Sequence, residues 1–400
     1  MSNITGPRYK NVVSESERCP GRSGEPETRP IPGIGWSTGV AKVLDRRCID
    51  MADYEWPLDR LLSEVIGSGP KSAADMDSQQ AREAACQVLS ETPDPTTLGA
   101  FLLANRWKGN TPEELACFVD VMRAESVRTA EPSIDPVDCG ANYDGKQRTA
   151  LLGVAAGLVA ATADTPVVVH SGDRVPTKEG TTYKHVLDAL GVRTDRSPDE
   201  SAAMVDEIGF GFYYQPRFNP LIDAVLDRRR SMGVRTFINT IETLANPANA
   251  TVHLGSFYHL PFARKLVDTV ELAESLPFER VLLFQGLEGY DDVRPEHTTV
   301  AEWTDGTFSD GTVESAEYGL SVVEEDLRMD DVAADSARIT REVLAGDRTG
   351  PFAEAVYLNA AMRLRAGGTV DTIGEGVERA QHVIDAGEAA ETLAVLSDHG

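Results

Sequence analysis

The feature that most constrains the fold is a change of hydrophobic pattern near residue 135. From there on, short β-rich apolar runs alternate with stretches of helical pattern. The runs are VVVHS (167–171), IGFGFYY (208–214), TVHLGSFY (251–258) and RVLLFQG (280–286), and the helical stretches lie near 150–163, 182–190, 219–231 and 261–275. This alternation predicts an α/β domain with a mainly parallel, doubly wound sheet over residues 129–400.

The preceding part of the chain predicts helices only. Residues 54–126 read as four helices, and two of these begin with a capping-box pattern. The two boxes are Asp77 with Gln80, and Thr111 with Glu114. We therefore expect an all-helical domain over residues 46–128. Residues 1–45 are expected to form a loosely ordered arm, because the first 35 are rich in Pro, Gly, Ser and Glu and lack apolar periodicity.

The charge of the chain is strongly negative. Its 64 acidic and 38 basic residues give a formal net charge of −26, and only 8 of the basic residues are lysines. Such a field repels nucleic acid unless a local basic patch overrides it. A lysine-poor acidic surface also suits concentrated salt, where charge repulsion is screened, so we hypothesise a halophilic source.

The cysteine spacing argues against a structural zinc site, and the hydropathy pattern indicates the cellular compartment. The five cysteines are Cys19, Cys48, Cys86, Cys117 and Cys139. They form no CxxC pair, so buried free thiols are expected rather than a structural zinc site. The chain shows no signal-peptide pattern and no apolar run of about 18 residues, so a cytoplasmic protein without a membrane span is expected.

Two stretches next to predicted strands carry residues suited to phosphate and metal chemistry. GANYDGKQRT (140–149) follows a short apolar run, with glycines around its tip and two cations after it. Asp291 and Asp292 follow a strand and a Gly-rich turn, at the edge where ligands of α/β sheets bind. Mg²⁺ takes oxygen ligands and needs few carboxylates when phosphates and waters complete its shell. On composition alone, two solvated loop acids in a very acidic protein are the favoured interpretation of Asp291 and Asp292, and the loop at 140–149 can also be a structural turn.

Three longer stretches, in order along the chain, resemble the anthranilate phosphoribosyltransferase family. They are GAFLLANRWKGNTPEELACFVDVMR (99–123), MGVRTFINTIETLANPANA (232–250) and QGLEGYDD (285–292). The resemblance runs collinearly from about residue 55 to 390. It looks closest to a diverged branch of the family, because other motifs are altered.

The resemblance implies both an architecture and an activity. The architecture is a nucleoside phosphorylase/phosphoribosyltransferase-like fold, in which long middle helices, here at about 219–246, rejoin the helical domain. The activity is Mg²⁺-dependent transfer of a phosphoribosyl group from 5-phosphoribosyl diphosphate (PRPP) to anthranilate, a glycosyltransferase (pentosyltransferase) step in tryptophan biosynthesis. The resemblance also implies a homodimer formed through the helical part. Displacement at the ribose carbon needs charge stabilisation and positioning, so no catalytic nucleophile is assigned.

The phosphate loop departs from the family pattern. The family's GTGGDG loop lets backbone N–H groups approach the diphosphate, and Gly140, Asp144 and Gly145 match it. Asn and Tyr replace the two middle glycines, and the family's NIST is LLGV (151–154) here. Lys146 and Arg148 are new cations that can bind diphosphate by charge. A retained structural turn is the equally weighted alternative.

The remaining site residues are implied by the resemblance. His170 and Lys178 match a stretch that contacts the phosphoribosyl group and the acceptor, and Asp291 and Asp292 match the family's Asp-Glu metal pair. Arg229 matches the arginine that binds the anthranilate carboxylate. The alternative interpretations are a core histidine for His170, a solvated loop lysine for Lys178 and a solvated helix arginine for Arg229. Glu242 would repel that carboxylate, which leaves the acceptor open between anthranilate and a related aromatic amine or heterocycle.

The sequence therefore predicts a phosphoribosyltransferase that binds PRPP, Mg²⁺ and a small aromatic acceptor. The competing hypothesis is a non-catalytic nucleic-acid-binding homologue of the same fold. The altered phosphate loop and the cluster Arg228–Arg230 favour it, and the net charge opposes it. A nucleoside phosphorylase is a third, weaker hypothesis.

Overall fold

The computed structural model describes residues 54–69, 71–90 and 93–398. Their central feature is a seven-stranded sheet with the order β3-β2-β1-β4-β5-β6-β7. The strands are β1 (Val137–Gly140), β2 (Val167–Ser171), β3 (Phe210–Tyr214), β4 (Val252–Phe257), β5 (Arg280–Gln285), β6 (His297–Thr304) and β7 (Thr307–Glu314). The arm over residues 1–45 lies outside the described residues.

The sheet is parallel from β3 to β5, and β6 and β7 add an antiparallel edge. The chain moves outward from β1 through β2 to β3, then returns to place β4 on the other side of β1. The strand order thus reverses between β1 and β4, which is where ligands bind in open α/β sheets. The predicted fold class, a mainly parallel sheet beside a helical domain, is confirmed.

Four strands were expected from the sequence, and all four form within two residues of their predicted bounds. The expectation missed β1, β6 and β7. β1 has only four residues, too few for a pattern, and β7 alternates weakly because most of its residues are exposed. Local periodicity therefore detected only the strands that are continuously apolar.

Helices cover both faces of the sheet. Successive residues of a strand point to opposite sides, so Val167 and Val169 join one apolar core and Val168 joins the other. The first core includes the α/β-domain helices α5 (Gly153–Thr162), α6 (Tyr183–Leu190), α13 (Val332–Leu344), α14 (Pro351–Ala366), α15 (Ile373–Asp385) and α16 (Glu388–Asp398). The second includes α12 (Leu260–Leu272) and joins the sheet to the N-terminal helices, while α7 (Pro198–Ile208) contributes to both.

The N-terminal helices follow their sequence signals. They are α1 (Leu58–Leu61, continued by a π-helical turn to Ile66), α2 (Ser78–Leu89), α3 (Pro95–Lys108) and α4 (Pro112–Glu125). Both predicted capping boxes form: Asp77 accepts from the backbone N–H of Gln80, and Thr111 from that of Glu114. These caps satisfy backbone donors that a helix start otherwise leaves unpaired.

The region 219–246 differs from the long helices that the resemblance implied. It contains α9 (Pro220–Ala224), α10 (Leu226–Met232) and α11 (Ile238–Ile241), and α8 (Gln215–Phe218) precedes it. Pro216 and Pro220 start new helices and Gly233 ends one with φ 65°, so the backbone is interrupted at these points. α9, α10 and α11 nevertheless pack against α2, α3 and α4.

The cysteines differ in part from the expectation. Cys117 and Cys139 are free and buried, as expected, and burial raises the pKa of Cys139 to about 12. Cys86, in contrast, is disulfide-bonded, so the expectation of free thiols was wrong at this position. None of the helices in the described residues has the length and apolar character needed to cross a membrane.

Candidate active site

Three loops at the carboxyl edge of the sheet carry most of the predicted site residues. They follow β1 (residues 141–149), β2 (172–182) and β5 (286–292). β1, β2 and β5 are parallel strands of one sheet, so all three loops emerge at the same edge, beside the switch point between β1 and β4. The topology therefore collects residues that are up to about 150 positions apart in sequence.

The loop after β1 is held by backbone contacts with the loop after β2. Lys146 and Thr181 exchange two backbone hydrogen bonds, at 2.9 and 2.8 Å, and Gly180 N–H donates to the carbonyl of Asp144. Gly145 has φ 73°, and a Cβ there would lie 2.6 Å from the carbonyl carbon of Gly180. Glycine is needed here because two backbones meet in a left-handed turn.

Close packing also explains why glycine is needed at position 140. A Cβ at this position would lie 2.1 Å from the carbonyl oxygen of Thr243. The matching glycines of the loop are thus explained by contacts within the protein. Whether they also allow a diphosphate to approach stays a prediction.

The backbone donors that follow the loop are already occupied by a carboxylate. Glu288 accepts the N–H groups of residues 147–149 at 2.9–3.2 Å and the hydroxyl of Thr149 at 2.7 Å. Burial acts to raise the pKa of Glu288, but these hydrogen bonds lower it overall. Successive backbone N–H groups form a natural anion site, and Glu288 fills this one.

The two new cations of the loop have different environments. The Nζ of Lys146 is buried, 2.8 Å from Oδ2 of Asp292 and 2.6 Å from the carbonyl of Ala150. The side chain of Arg148 is 65% exposed, and its Nε lies 3.7 Å from Glu288. Arg148 is therefore available to a bound anion, whereas Lys146 already has a carboxylate partner.

The acidic pair is buried and partly charge-compensated. Asp291 Oδ2 accepts from the hydroxyl of Tyr183 and lies 3.3 Å from Nη2 of Arg363, which α14 carries. Burial raises the pKa of Asp291 to about 6, with a further contribution from Asp292, although Arg363 opposes the shift. Each carboxylate therefore has one oxygen beside a cation.

The other oxygen of each carboxylate is unpaired. Within the part of the chain that the structure describes, Oδ1 of Asp291 and Oδ1 of Asp292 are buried and accept no hydrogen bond. No group of three or more metal-ligating side chains exists among the same residues. Two buried carboxylate oxygens without donors, on consecutive residues, are the kind of ligand that suits a hard cation whose shell is completed by water and phosphate.

Lys178 is partly exposed, whereas Asp144 is fully buried beneath the loops. The Nζ of Lys178 donates to the carbonyl of Glu288 at 2.6 Å, and burial lowers its pKa. Asp144 is bound by Arg235 Nη1 at 2.9 Å and by the amide of Asn239 at 3.0 Å. Arg235 and Lys178 are both partly exposed, so they can also contact a bound phosphate.

His170 ends β2 within a buried chain of polar groups. Its Nδ1 is 2.5 Å from the hydroxyl of Tyr143, and its Nε2 is 3.3 Å from Asp138. His253 contacts the other oxygen of Asp138 at 2.8 Å. Burial alone would raise the pKa of Asp138, but the two histidines hold it at about 2. His170 is thus a paired core histidine that reaches the phosphate loop through Tyr143.

Arg229 forms the most complete ion pair of the site. Its Nη1 and Nη2 each donate to one oxygen of Glu242 at 2.8 Å. Arg229 is 1% exposed and Glu242 is fully buried. The amide of Gln215 donates to the same carboxylate at 3.2 Å. The guanidinium of Arg229, which was expected to bind the acceptor's carboxylate, therefore already binds the carboxylate of Glu242.

The sequence did not single out several residues that the structure brings into this site. They are Asp138, Tyr143, Gln215, Arg235, Asn239, His253, Glu288 and Arg363. One weak signal was available: Arg363 stands inside the largely apolar helix FAEAVYLNAAMRLRA. A charge in such a position usually has a buried partner.

The comparisons with known proteins identify the family and the fold. Residues 137–390 match the glycosyl transferase family, a/b domain, and residues 67–126 match its helical bundle domain. The anthranilate phosphoribosyltransferase of Thermomicrobium roseum is 35% identical over 335 residues, which cover 81% of this chain and 93% of that protein.

Two solved structures share the fold. The anthranilate phosphoribosyltransferase of Thermus thermophilus has a TM-score of 0.70 at 27% identity, covering 81% of this chain and 96% of that one. The enzyme of Saccharomyces cerevisiae, in complex with PRPP and Mg, has a TM-score of 0.72 at 19% identity. The comparison with it covers 86% of this chain and 98% of that one.

Proposed function

The chain belongs to the anthranilate phosphoribosyltransferase family of glycosyl transferases, and from this premise we propose that it transfers a 5-phosphoribosyl group from PRPP to anthranilate or a related aromatic amine or heterocycle. One observation of the site gives this proposal its strongest support. The loops after β1, β2 and β5 bring cations and an acidic pair to one edge of the sheet, beside its switch point.

The cations at this edge would hold the phosphates. Lys178 contacts the backbone carbonyl of Glu288, Arg148 lies near its carboxylate, and Arg235 lies beside Asp144. Charged donors bind phosphate oxygens more strongly than neutral ones do. Binding and orientation of PRPP, rather than a covalent step, would then be the main work of these side chains.

Mg²⁺ is proposed as the cofactor, held by Asp291 and Asp292. Their unpaired Oδ1 atoms are the donors that suit it. A bound Mg²⁺ supplies charge that stabilises a leaving diphosphate. Lys146 stays on the opposite oxygen of Asp292, where it orients the carboxylate and reduces the repulsion between the two acids.

Glu288 must be accommodated when the diphosphate binds. Its carboxylate and the diphosphate are both anions, and the donors at residues 147–149 cannot serve both. PRPP binding therefore requires either displacement of Glu288 or use of the cationic side of the site alone. The altered loop makes charge, rather than backbone contacts, the main attraction for the phosphates.

We expect Mg²⁺-dependent binding of PRPP. In calorimetric titrations in concentrated salt, Mg²⁺ should tighten binding by at least about tenfold, since contacts to charged groups contribute about 1.5–3 kcal/mol each. Lys178→Met should weaken binding by a similar factor, because it removes a partly exposed cation. Lys71→Met, at an exposed lysine of the helical domain, is the matched control. Failure of the wild type to bind PRPP would refute the proposed function.

The structure weakens the nucleic-acid alternative, because two of the cations it relies on are buried. Lys146 and Arg229, which would have contributed to a basic groove, are buried on Asp292 and Glu242. Neither can contact a phosphate backbone without breaking its ion pair. No observation of the site, within the described residues, favours nucleic acid or phosphorolysis over phosphoribosyl transfer.

We also propose that the protein is halophilic and dimeric. The net charge and the 8 lysines support the first proposal. The second is supported by α3, where Leu103 and Trp107 lie one turn apart and are 44% and 80% exposed. Exposed apolar groups on one helix face are typical of an interface.

A salt series tests both properties. In concentrated salt, sedimentation should give twice the mass of one chain, and Trp107→Lys should yield the monomer. Dialysis to low salt should unfold the protein, as seen by loss of circular dichroism, because unscreened acidic groups repel one another. A stable fold at low salt would contradict the halophilic proposal, and a monomeric wild type would contradict the dimer.

The domain boundaries at residues 46 and 128 and the individual site residues remain proposals. A cytoplasmic location also remains a prediction. The disulfide of Cys86 weakens it, because disulfides are rare in reducing compartments. Fractionation of the source cells would decide the location.

A further inference from the structure

A second cavity borders the loop after β1 and is separate from the acidic pair. It has a volume of about 440 Å³. Gln147 and Arg148 line it from the loop, residues 328–330 line it from the segment before α13, and Asp335 and Arg338 line it from α13 itself. None of these residues belongs to the loop after β5. The volume is within the range of pockets that bind small molecules.

The wall of this cavity is fixed by hydrogen bonds within the protein. Residues 148–150 and 327–329 pair in antiparallel fashion through two backbone hydrogen bonds of 2.7 Å. The N–H of Leu151 donates to the hydroxyl of Ser336, which α13 carries, at 2.8 Å. Segments that are far apart in the sequence are thus held together without a ligand. A wall formed in advance reduces the ordering cost of binding.

Three arginines contribute to the wall, and two of them have donors to spare. Arg338 is held at 2.9 and 3.1 Å by two carboxylates of its own helix. Nε of Arg148 lies 3.7 Å from Glu288, and Nη2 of Arg328 lies 3.5 Å from Glu325. Ion pairs this long, between side chains of which Arg148 and Arg328 are more than half exposed, contribute little. Both guanidinium groups are therefore available to an anion.

The charges of the cavity indicate the chemistry of its ligand. Three arginines and two aspartates, Asp330 and Asp335, leave an excess of positive charge in a chain whose net charge is −26. Guanidinium groups bind phosphate through paired hydrogen bonds, and aspartate oxygens accept hydrogen bonds from hydroxyl groups. A ligand with a phosphate group and free hydroxyl groups satisfies both kinds of side chain.

We propose that this cavity is a second ligand-binding site, which takes a sugar phosphate. Arg148 and Arg328 donate to the phosphate oxygens, and the sugar hydroxyls donate to Asp330. Because the cations are side chains of the protein, binding needs no metal ion. The proposal does not depend on the phosphoribosyl transfer proposed above, although Arg148 borders both sites.

Three probes test the ligand class on the wild-type protein. They are ribose 5-phosphate, ribose and inorganic phosphate, each titrated by calorimetry in concentrated salt without Mg²⁺. Ribose 5-phosphate should bind at least about tenfold more tightly than either of the others, because only it uses both the arginines and Asp330. Absence of binding, or equal binding of ribose or of inorganic phosphate, would overturn the proposal.

Two substitutions at exposed positions assign the binding to the cavity. Arg328→Met removes a charged donor and should weaken ribose 5-phosphate binding by about tenfold or more. Asp330→Ala removes the acceptor for hydroxyl groups, so the preference for ribose 5-phosphate over inorganic phosphate should disappear. Arg60→Met is the matched control, because Arg60 is also exposed and pairs with Glu64 in the helical domain. Unchanged affinity in Arg328→Met would contradict the proposed site.

A third substitution separates this cavity from the candidate active site. Lys178→Met alters the active site and should leave the affinity for ribose 5-phosphate unchanged. If Lys178→Met abolishes this binding and Arg328→Met does not, the ligand occupies the active site and the second site is refuted. Mg²⁺-dependent PRPP binding, measured in parallel, tests the transferase proposal separately, so either proposal can fail while the other stands.

Discussion

Arg363→Met is expected to cost about 3–5 kcal/mol of unfolding free energy, because it leaves the buried carboxylate of Asp291 without its cation. Arg363 and Asp291 are both fully buried, and Arg363 also donates to the hydroxyl of Tyr183 and the carbonyl of Asn359. Methionine fills much of the same volume but provides no donor. Urea unfolding in concentrated salt measures the difference.

The loss of unfolding free energy in Arg363→Met should depend on pH. The folded-state pKa of Asp291 is already raised, to about 6, and should rise further without Arg363. A raised carboxyl pKa means that folding favours the protonated form. The penalty in Arg363→Met should therefore be full above that pKa and shrink as the pH falls below it.

Two further variants control the experiment. Asp291→Asn/Arg363→Met removes both charges, so it should recover part of the stability that the single variant loses. Arg338→Met removes an arginine from an exposed cluster with Asp335 and Glu342, and should change stability little. With Asp291→Asn measured as well, a double variant whose loss of stability equals the sum of the two single losses would show that the pair is not energetically coupled.

Asp292→Asn is expected to lower the phosphoribosyl transfer rate by at least about 100-fold. Charge stabilisation by a bound metal contributes several kcal/mol, and each ~1.36 kcal/mol corresponds to a factor of ten in rate. The substitution keeps the shape of the side chain but removes the negative charge next to the unpaired Oδ1. The Mg²⁺-dependent part of PRPP binding should disappear with the rate.

Binding is the decisive readout for this variant. Calorimetry with PRPP, in the presence and absence of Mg²⁺, reports on the metal site without requiring turnover. Asp310→Asn, on the exposed edge strand β7, is the matched control and should retain both binding and rate. Persistence of Mg²⁺-dependent binding in folded Asp292→Asn protein would place the metal elsewhere.

The position of the candidate site was predictable from the sequence. Alternating β and α segments indicated a parallel sheet, and parallel strands place their carboxyl ends on one edge. Asp291 and Asp292 were therefore expected at the ligand-binding edge of the sheet, and the loop after β5 lies at that edge, together with the loops after β1 and β2. The short helices of region 219–246 were not predicted, because the resemblance outweighed the local signals of Pro216, Pro220 and Gly233.

Local sequence determined the N-terminal helices and the strands β2 to β5, because capping boxes, apolar periodicity and turn residues act within a few positions. Local sequence did not determine which charged side chains pair with each other. Lys146 meets Asp292, Arg363 meets Asp291, and Glu288 meets the backbone of residues 147–149, all across loops or domain layers. A solvated charge and a buried, paired charge look alike in a local pattern. Only tertiary packing removes the water and selects the partner, and that selection decides what the site can bind.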